Sequence, residues 1–175
     1  MSNQIPDGLV LRRHRDLVGR RHQVWIRRFL LAVIGLVPLL ALLNVFGQRP
    51  HVETATAAPA QLELYTTSHL RGGLLFEARF TVTARRELKK ATLELDRGWM
   101  EGFTINTIEP SPVSEGSHDG KLVLELGHIP AGQKYVLYMQ SQVNPTNVGR
   151  RSQDVRLYDG KRFLTKIDRK VTVFP

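Results

Sequence analysis

Residues 74–83 read LLFEARFTVT, and the alternation in that stretch decides the fold. Leu74, Phe76, Ala78, Phe80 and Val82 take every second position, with Leu75, Glu77, Arg79, Thr81 and Thr83 between them. Successive side chains of a strand point to opposite faces, so this pattern predicts a half-buried β-strand. The same period returns downstream at Ala91/Leu93/Leu95, Leu122/Leu124/Leu126, Tyr135/Leu137/Met139, Val155/Leu157 and Val171/Val173. Turn signals separate these runs: Arg71-Gly72-Gly73, Arg97-Gly98, Asp119-Gly120, Pro130-Ala131-Gly132 and Asp159-Gly160. Asp-Gly between two alternating runs is a strong hairpin signal, because both residues tolerate positive φ. About seven short strands at this spacing predict an all-β antiparallel sandwich.

Upstream the pattern changes. Phe29 to Phe46 reads FLLAVIGLVPLLALLNVF, uncharged, with Arg27 and Arg28 directly before it and Arg49 after. Eighteen residues of helix rise about 27 Å, close to the roughly 30 Å hydrocarbon core of a bilayer. The chain therefore divides into a basic head (1–28), a transmembrane helix (29–47), a Thr/Ala/Pro-rich linker (48–60) and the sandwich (61–175). The net charge of +9 is uneven. Residues 1–28 hold seven arginines against Asp7 and Asp16, more than half of the excess. Positive flanks stay cytoplasmic, so the expected topology is single-pass in the cell membrane, N-terminus in and sandwich out. The basicity is thereby accounted for without nucleic acid, and no aromatic-interleaved basic patch points to one. A cleaved signal peptide is the rival reading, with small-residue sites in Ala55–Ala60. Against it stand the length of the apolar run and the long segment ahead of it.

In the head, Val10, Leu17 and Val24 recur at seven-residue spacing, with Leu11, Val18 and Trp25 one step behind. They predict a short amphipathic helix whose other faces carry Arg12, Arg13, Arg20 and Arg21, suited to lipid head groups or a partner. Trp25 stands where an interfacial aromatic belongs. Within the span, Pro38 removes a backbone donor and predicts a kink, and Asn44 is polar near the outer end. Together these residues form the candidate membrane or partner contact; a plain lipid-facing tether is the simpler account.

The stretch Phe80–Pro145 resembles the immunoglobulin-like and fibronectin-III-like repeats of bacterial cell-envelope proteins. The matching pieces are FTVTA at 80–84, the polar turn Arg85–Lys90, ATLELD at 91–96, the aromatic segment Gly98–Phe103, and Leu-Gly-x-Ile-Pro-Ala-Gly at 126–132. The resemblance implies an immunoglobulin-like sandwich. It implies no active site, because such repeats serve as spacers, adhesion modules and subunit contacts. Leu157–Pro175 departs from it by holding a hairpin and an extra strand.

Chemistry-bearing motifs are sparse. The chain has no cysteine, which excludes disulfides, thiolate catalysis and cysteine-ligated metal. Its histidines lack metal-binding spacing, Asp154, Asp159 and Asp168 sit in no dense acidic loop, and Ser117-His118-Asp119-Gly120 reads as a turn. No cofactor is expected. Trp99, Met100 and Phe103 read either as core or as an exposed partner patch. Arg150-Arg151 and Lys161-Arg162 read as a solvated rim, or as a face toward phospholipid or an acidic partner. The expectation is a non-enzymatic, membrane-anchored accessory subunit whose sandwich contacts another membrane or envelope protein. The alternative is a surface module binding wall polymer or a ligand.

Overall fold

A computed structural model describes residues 21–43, 45 and 48–175. Two compact units divide the chain, Met1–Phe46 and Gly47–Pro175, and each is described by itself.

The first unit holds one helix, α1 (Arg21–Leu42), with Pro38 inside it. The segment His22–Leu42 is long and apolar enough to cross a membrane, and none of it is buried within the protein. An anchor and a signal sequence share that property. Helical hydrogen bonding runs past Leu42, with Leu43 N donating to Leu39 O at 3.0 Å and Val45 N to Leu40 O at 3.0 Å. Although the sequence reading separates a head at 1–28 from a span at 29–47, the helix is continuous from Arg21. Nothing between Arg21 and Phe29 breaks a helix, and arginine is a good helix former.

The second unit is an antiparallel β-sandwich. Sheet I has the order β1 (Pro50–Thr56), β2 (Ala60–Thr67), β4 (Leu75–Ala84), β9 (Lys134–Val143), β6 (Phe103–Glu109). Sheet II has the order β12 (Arg162–Ile167), β11 (Val155–Asp159), β5 (Leu88–Leu95), β8 (Lys121–Ile129), β7 (Ser114–His118). A small third sheet joins β10 (Gly149–Ser152), β13 (Lys170–Phe174) and β3 (His69–Arg71), with β13 and β3 parallel.

The alternation that predicts the strands also selects the core. Phe76, Ala78, Phe80 and Val82 of β4, Leu93 and Leu95 of β5, Leu124 of β8, Leu137 and Met139 of β9 and Leu157 of β11 are all buried in one apolar cluster. Burial of a leucine or phenylalanine side chain contributes about 1.5–3 kcal/mol, so these inward rows drive the closure. Leu74 departs from its row and is exposed, since it belongs to the turn before β4. Asp119 and Gly120 have φ of 50° and 73° and form the two-residue β7–β8 loop that Asp-Gly predicts.

The register fixes two ends. Pro50, Thr67–Gly73, Asp96–Gly102, Asn144–Ser152 and Asp168–Phe174 share the end at which the chain enters the domain. Residues 57–59, 84–88, 130–133 and 160–161 share the other.

Two expectations are corrected. The described residues form thirteen strands, not about seven. Residues 48–60, read as a linker, include β1, which pairs with β2 along its whole length from Pro50↔Thr67 to Thr56↔Gln61. Three of the unread strands share a cause. PHVETAT, SEGSH and GRRS lie at or near sheet edges with mostly exposed side chains, so they carry no apolar alternation. In β6 a bulge at Ile105/Thr107 shifts the phase and hides the period.

Among the glycines of the described residues, Gly98 is the most closely approached. A Cβ there would stand 1.9 Å from the carbonyl oxygen of Ser152, a backbone atom that cannot step aside. Gly98→Ala is expected to destabilise the domain by at least about 2 kcal/mol. Gly116→Ala in β7, where a Cβ meets nothing within 4 Å, should stay within about 0.5 kcal/mol of the parent. Thermal melts of the two variants by near-UV circular dichroism check the contrast.

Candidate functional site

Trp99, Met100 and Phe103 do not form an exposed patch. Trp99 is fully buried, Phe103 nearly so, and Met100 is half-buried. A short 3-10 turn at Arg97–Trp99 carries the indole inward to Phe80, ring centroids 5.3 Å apart. Its Nε1–H donates to the carbonyl of Gln153 at 3.0 Å. Phe103 packs edge-on against Phe76 at 5.6 Å. The partner-patch expectation is overturned for Trp99 and Phe103 because rings of this size bring more stabilisation inside a sandwich than on its surface, once the indole N–H has an acceptor.

Behind Trp99 lies the polar cluster that closes this end of the sandwich. Arg169, 5% exposed, stands with its guanidinium 5.4 Å from the indole ring. Its Nη2 donates to the Thr67 carbonyl at 2.8 Å, and Glu53 lies 3.7 Å from Nε. Burial pushes the Arg169 guanidinium down to about 10 against the opposing pull of Glu53, so it stays charged at neutral pH. Gln153, wholly buried, donates from its backbone N–H to Arg169 O at 3.0 Å and from Nε2 to Gly98 O at 3.1 Å. Asp154 accepts from the Arg169 backbone N–H at 3.0 Å and from Lys166 Nζ at 2.7 Å. Burial raises the Asp154 carboxyl, but these two donors outweigh it and hold it below the usual carboxylate range. Lys166 bridges Asp154 and Asp168, and its own affinity for the proton is raised.

Two outward faces differ in character. On sheet II, charges pair across strands: Lys121 with Glu94 at 2.8 Å, Arg156 with Glu94 at 3.2 Å, and Lys90 with Glu125 at 3.0 Å. On sheet I, the register aligns Val52, Tyr65, Arg79, Tyr138 and Glu109 in one row across all five strands. The Arg79 guanidinium lies 4.7 Å over the Tyr65 ring, while Val52 and Tyr138 are 57% and 42% exposed. Tyrosine and arginine are the residue types that most often anchor protein contacts, since they offer large rigid area with hydrogen-bonding tips.

The other sequence candidates are scattered. Trp25 is exposed on α1 with the Arg28 guanidinium 5.6 Å from its ring, and Pro38 lies within the same helix. Arg21 opens the helix; Arg12, Arg13, Arg20 and Asn44 lie outside the described residues. Among the described residues, no group of three or more His, Cys, Asp or Glu side chains is placed to hold a metal ion. Asp154 and Asp168 converge on Lys166, while Asp159 accepts from the Lys90 backbone N–H at 2.8 Å. His118 and Asp119 stand 3.4 Å apart at the exposed tip of the β7–β8 hairpin. Arg151 turns inward onto Asn147 Oδ1 at 3.2 Å, so the Arg150-Arg151 pair does not form one rim. Sequence reasoning missed Arg169, Gln153 and the Tyr65–Arg79–Tyr138 row. The row had a signal: each member occupies an outward position of an alternating strand.

Arg169→Ala is expected to cost about 2–4 kcal/mol, because it opens a cavity under Trp99 and strips the Thr67 carbonyl of its donor. Arg169→Met should lose less than half as much by keeping the stem volume; equilibrium urea unfolding compares them. For Asp154, the depressed carboxyl pKa means stabilisation present above the ordinary value near 4 and lost as pH falls through the folded one. Asp154→Asn should therefore be less stable than the parent at pH 7 and converge with it toward about pH 2, a difference read from melting temperatures across that range.

No protein-family model and no curated protein matches the chain. Among solved structures, it is similar to CaCohA2 from Clostridium acetobutylicum, at a TM-score of 0.44 and 11% identity over 67% of this chain and 92% of that one. It is similar to a FixG-related protein from Vibrio parahaemolyticus at a TM-score of 0.39 and 13% identity, covering 67% and 98% of the two chains. A third similarity is to the alkylpurine DNA glycosylase AlkC of Pseudomonas fluorescens, at a TM-score of 0.36 and 13% identity. It covers 76% of this chain and only 32% of the glycosylase.

Proposed function

We propose that the protein is a non-enzymatic, membrane-anchored interaction subunit whose sandwich contacts another membrane or envelope protein. The observation that carries this reading is the Tyr65–Arg79–Tyr138 row on the outer face of sheet I. A cation stacked on one tyrosine beside a second, exposed one offers a preformed anchor with little rotamer entropy to lose on binding. The anchor itself is α1. Its apolar side chains are exposed among the described residues, and Trp25 and Arg28 sit at the end where interfacial residues belong. In this reading the four segments work as basic cytoplasmic head, span, junction and extracytoplasmic sandwich, with Arg27 and Arg28 holding the N-terminal side in the cytoplasm. Residues 48–60 then serve as the first strand of the sandwich rather than as a free spacer.

A photo-crosslinking amino acid at position 138 of the full chain, in its native membrane, tests the proposal. The expected result is a discrete adduct with one membrane or envelope protein, reduced about tenfold or more by Arg79→Glu. The same label at Ala131, in the turn at the opposite end, should give none. Adducts to wall polymer alone, or none at position 138, would overturn it.

A further inference from the structure

The small sheet gathers cations around an exposed ring on its outer face. Leu70, Val171 and Val173 point inward and are buried. Alternation therefore turns His69, Arg71, Arg150, Lys170, Thr172 and Phe174 outward. The register sets Arg150 opposite Thr172 and Thr172 opposite His69, with Ser152 opposite Lys170 and Phe174 opposite Arg71. Phe174, 47% exposed, stacks on the His69 ring at 6.0 Å and 11°.

Charge pairing separates this face from the outer face of sheet II. Among the described residues, Arg71, Arg150 and Lys170 form no ion pair, whereas Lys121, Arg156 and Lys166 on sheet II each have a carboxylate. Of the carboxylates at this end, Asp96 accepts from Ser152 Oγ at 2.7 Å and Asp168 binds Lys166, while Glu101 is exposed. Three exposed cations around a flat aromatic make a positive patch with an apolar tip. The far end of the domain also carries cations without an ion pair among the described residues, Arg85, Arg86, Lys89, Lys161 and Arg162, so charge alone does not single out one end.

Position decides what the patch meets. β3 follows directly from Thr67, the partner of Pro50, so this face lies at the end where the chain enters the sandwich. From Leu42 at the end of the helix to Pro50 is at most about 29 Å of extended chain. We propose that this face docks on anionic phospholipid head groups of the bilayer that holds α1, with Arg71, Arg150 and Lys170 meeting phosphates and Phe174 entering the head-group layer. The inference rests on α1 being an anchor, and leaves the row on sheet I free for a protein partner.

Because the chain has no cysteine, single-cysteine reporters can be placed at will. The full chain carrying Pro175→Cys, labelled with a fluorophore, is reconstituted in nanodiscs of neutral phosphatidylcholine or with about one-third phosphatidylglycerol. Each disc also holds a head-group spin-labelled lipid as quencher. Docking predicts quenching at least about threefold stronger in the anionic discs, since each cation near such a surface shifts the equilibrium several-fold. Salt at about 0.5 M, where screening reaches within roughly 4 Å, should abolish the difference. So should the triple variant Arg71→Gln/Arg150→Gln/Lys170→Gln, whose exposed positions leave the fold intact by far-UV circular dichroism. Equal quenching in the two lipids, or no response to the triple variant, overturns the proposal. Quenching of an Ala131→Cys probe instead overturns it as well, since that places the other end on the membrane. A Pro175→Cys signal that responds to added poly-glutamate but not to anionic lipid assigns the face to an acidic protein and likewise overturns it. A Leu36→Cys probe with a bilayer-centre quencher reports separately on the anchor. Without quenching there, the anchor reading fails; with it, any failure belongs to the face alone.

Discussion

A sandwich keeps water out along its faces by pairing strands, but its ends have no strands to close them. At the end where this chain enters, the closure is Trp99 with Arg169 behind it. The indole fills the mouth against Phe80, and the guanidinium covers the indole. The groups nearby give the indole N–H an acceptor and the guanidinium one direct hydrogen bond, through Nη2, while its Nε and Nη1 are buried without one. Thr67 and Glu53 turn toward Arg169, Gln153 gives its carbonyl to Trp99 and its amide to Gly98, and Asp154 holds the backbone of Arg169. β1, β2, the 3-10 turn, β11 and β13 all meet through this cluster, so none of them can shift without exposing a buried polar group.

The core was legible in the sequence because it obeys one rule. In β5 and β11, and in β4 apart from Leu74, the residues read as inward are buried, and Leu122 and Tyr135 are partly buried against the same core. The edges were not legible, because β1, β7 and β10 gain order from their neighbours' hydrogen bonds and contribute almost no apolar surface. β1 is the instructive case. Thr, Ala and Pro describe a linker by composition, yet seven register partners on β2 make it a strand. The closing cluster was hidden for another reason. Arg169 is followed by a lysine in a run of charges, and nothing local separates an arginine that is solvated from one that is sealed under a tryptophan far away in the chain.

Outward positions tell more about role than inward ones here. The outer face of sheet II satisfies its charges internally, which suits a surface meant to face water. On sheet I, Val52 and Tyr138 of the row stand exposed, and on the small sheet Arg71, Arg150 and Lys170 form no ion pair among the described residues.

The bond from Arg169 to the Thr67 carbonyl links residues 102 apart in the chain, and the parallel pairing of β13 with β3 spans a similar distance. Contacts of that range must wait until most of the intervening loop entropy has been overcome, which makes them late events on the folding path. Until β13 arrives, the edge of β3 and the mouth around Trp99 stand open. The order of closure thus leaves an unzipped seam at the end where the chain enters the sandwich, a stage at which a chaperone or a prematurely bound neighbour would find backbone to pair with.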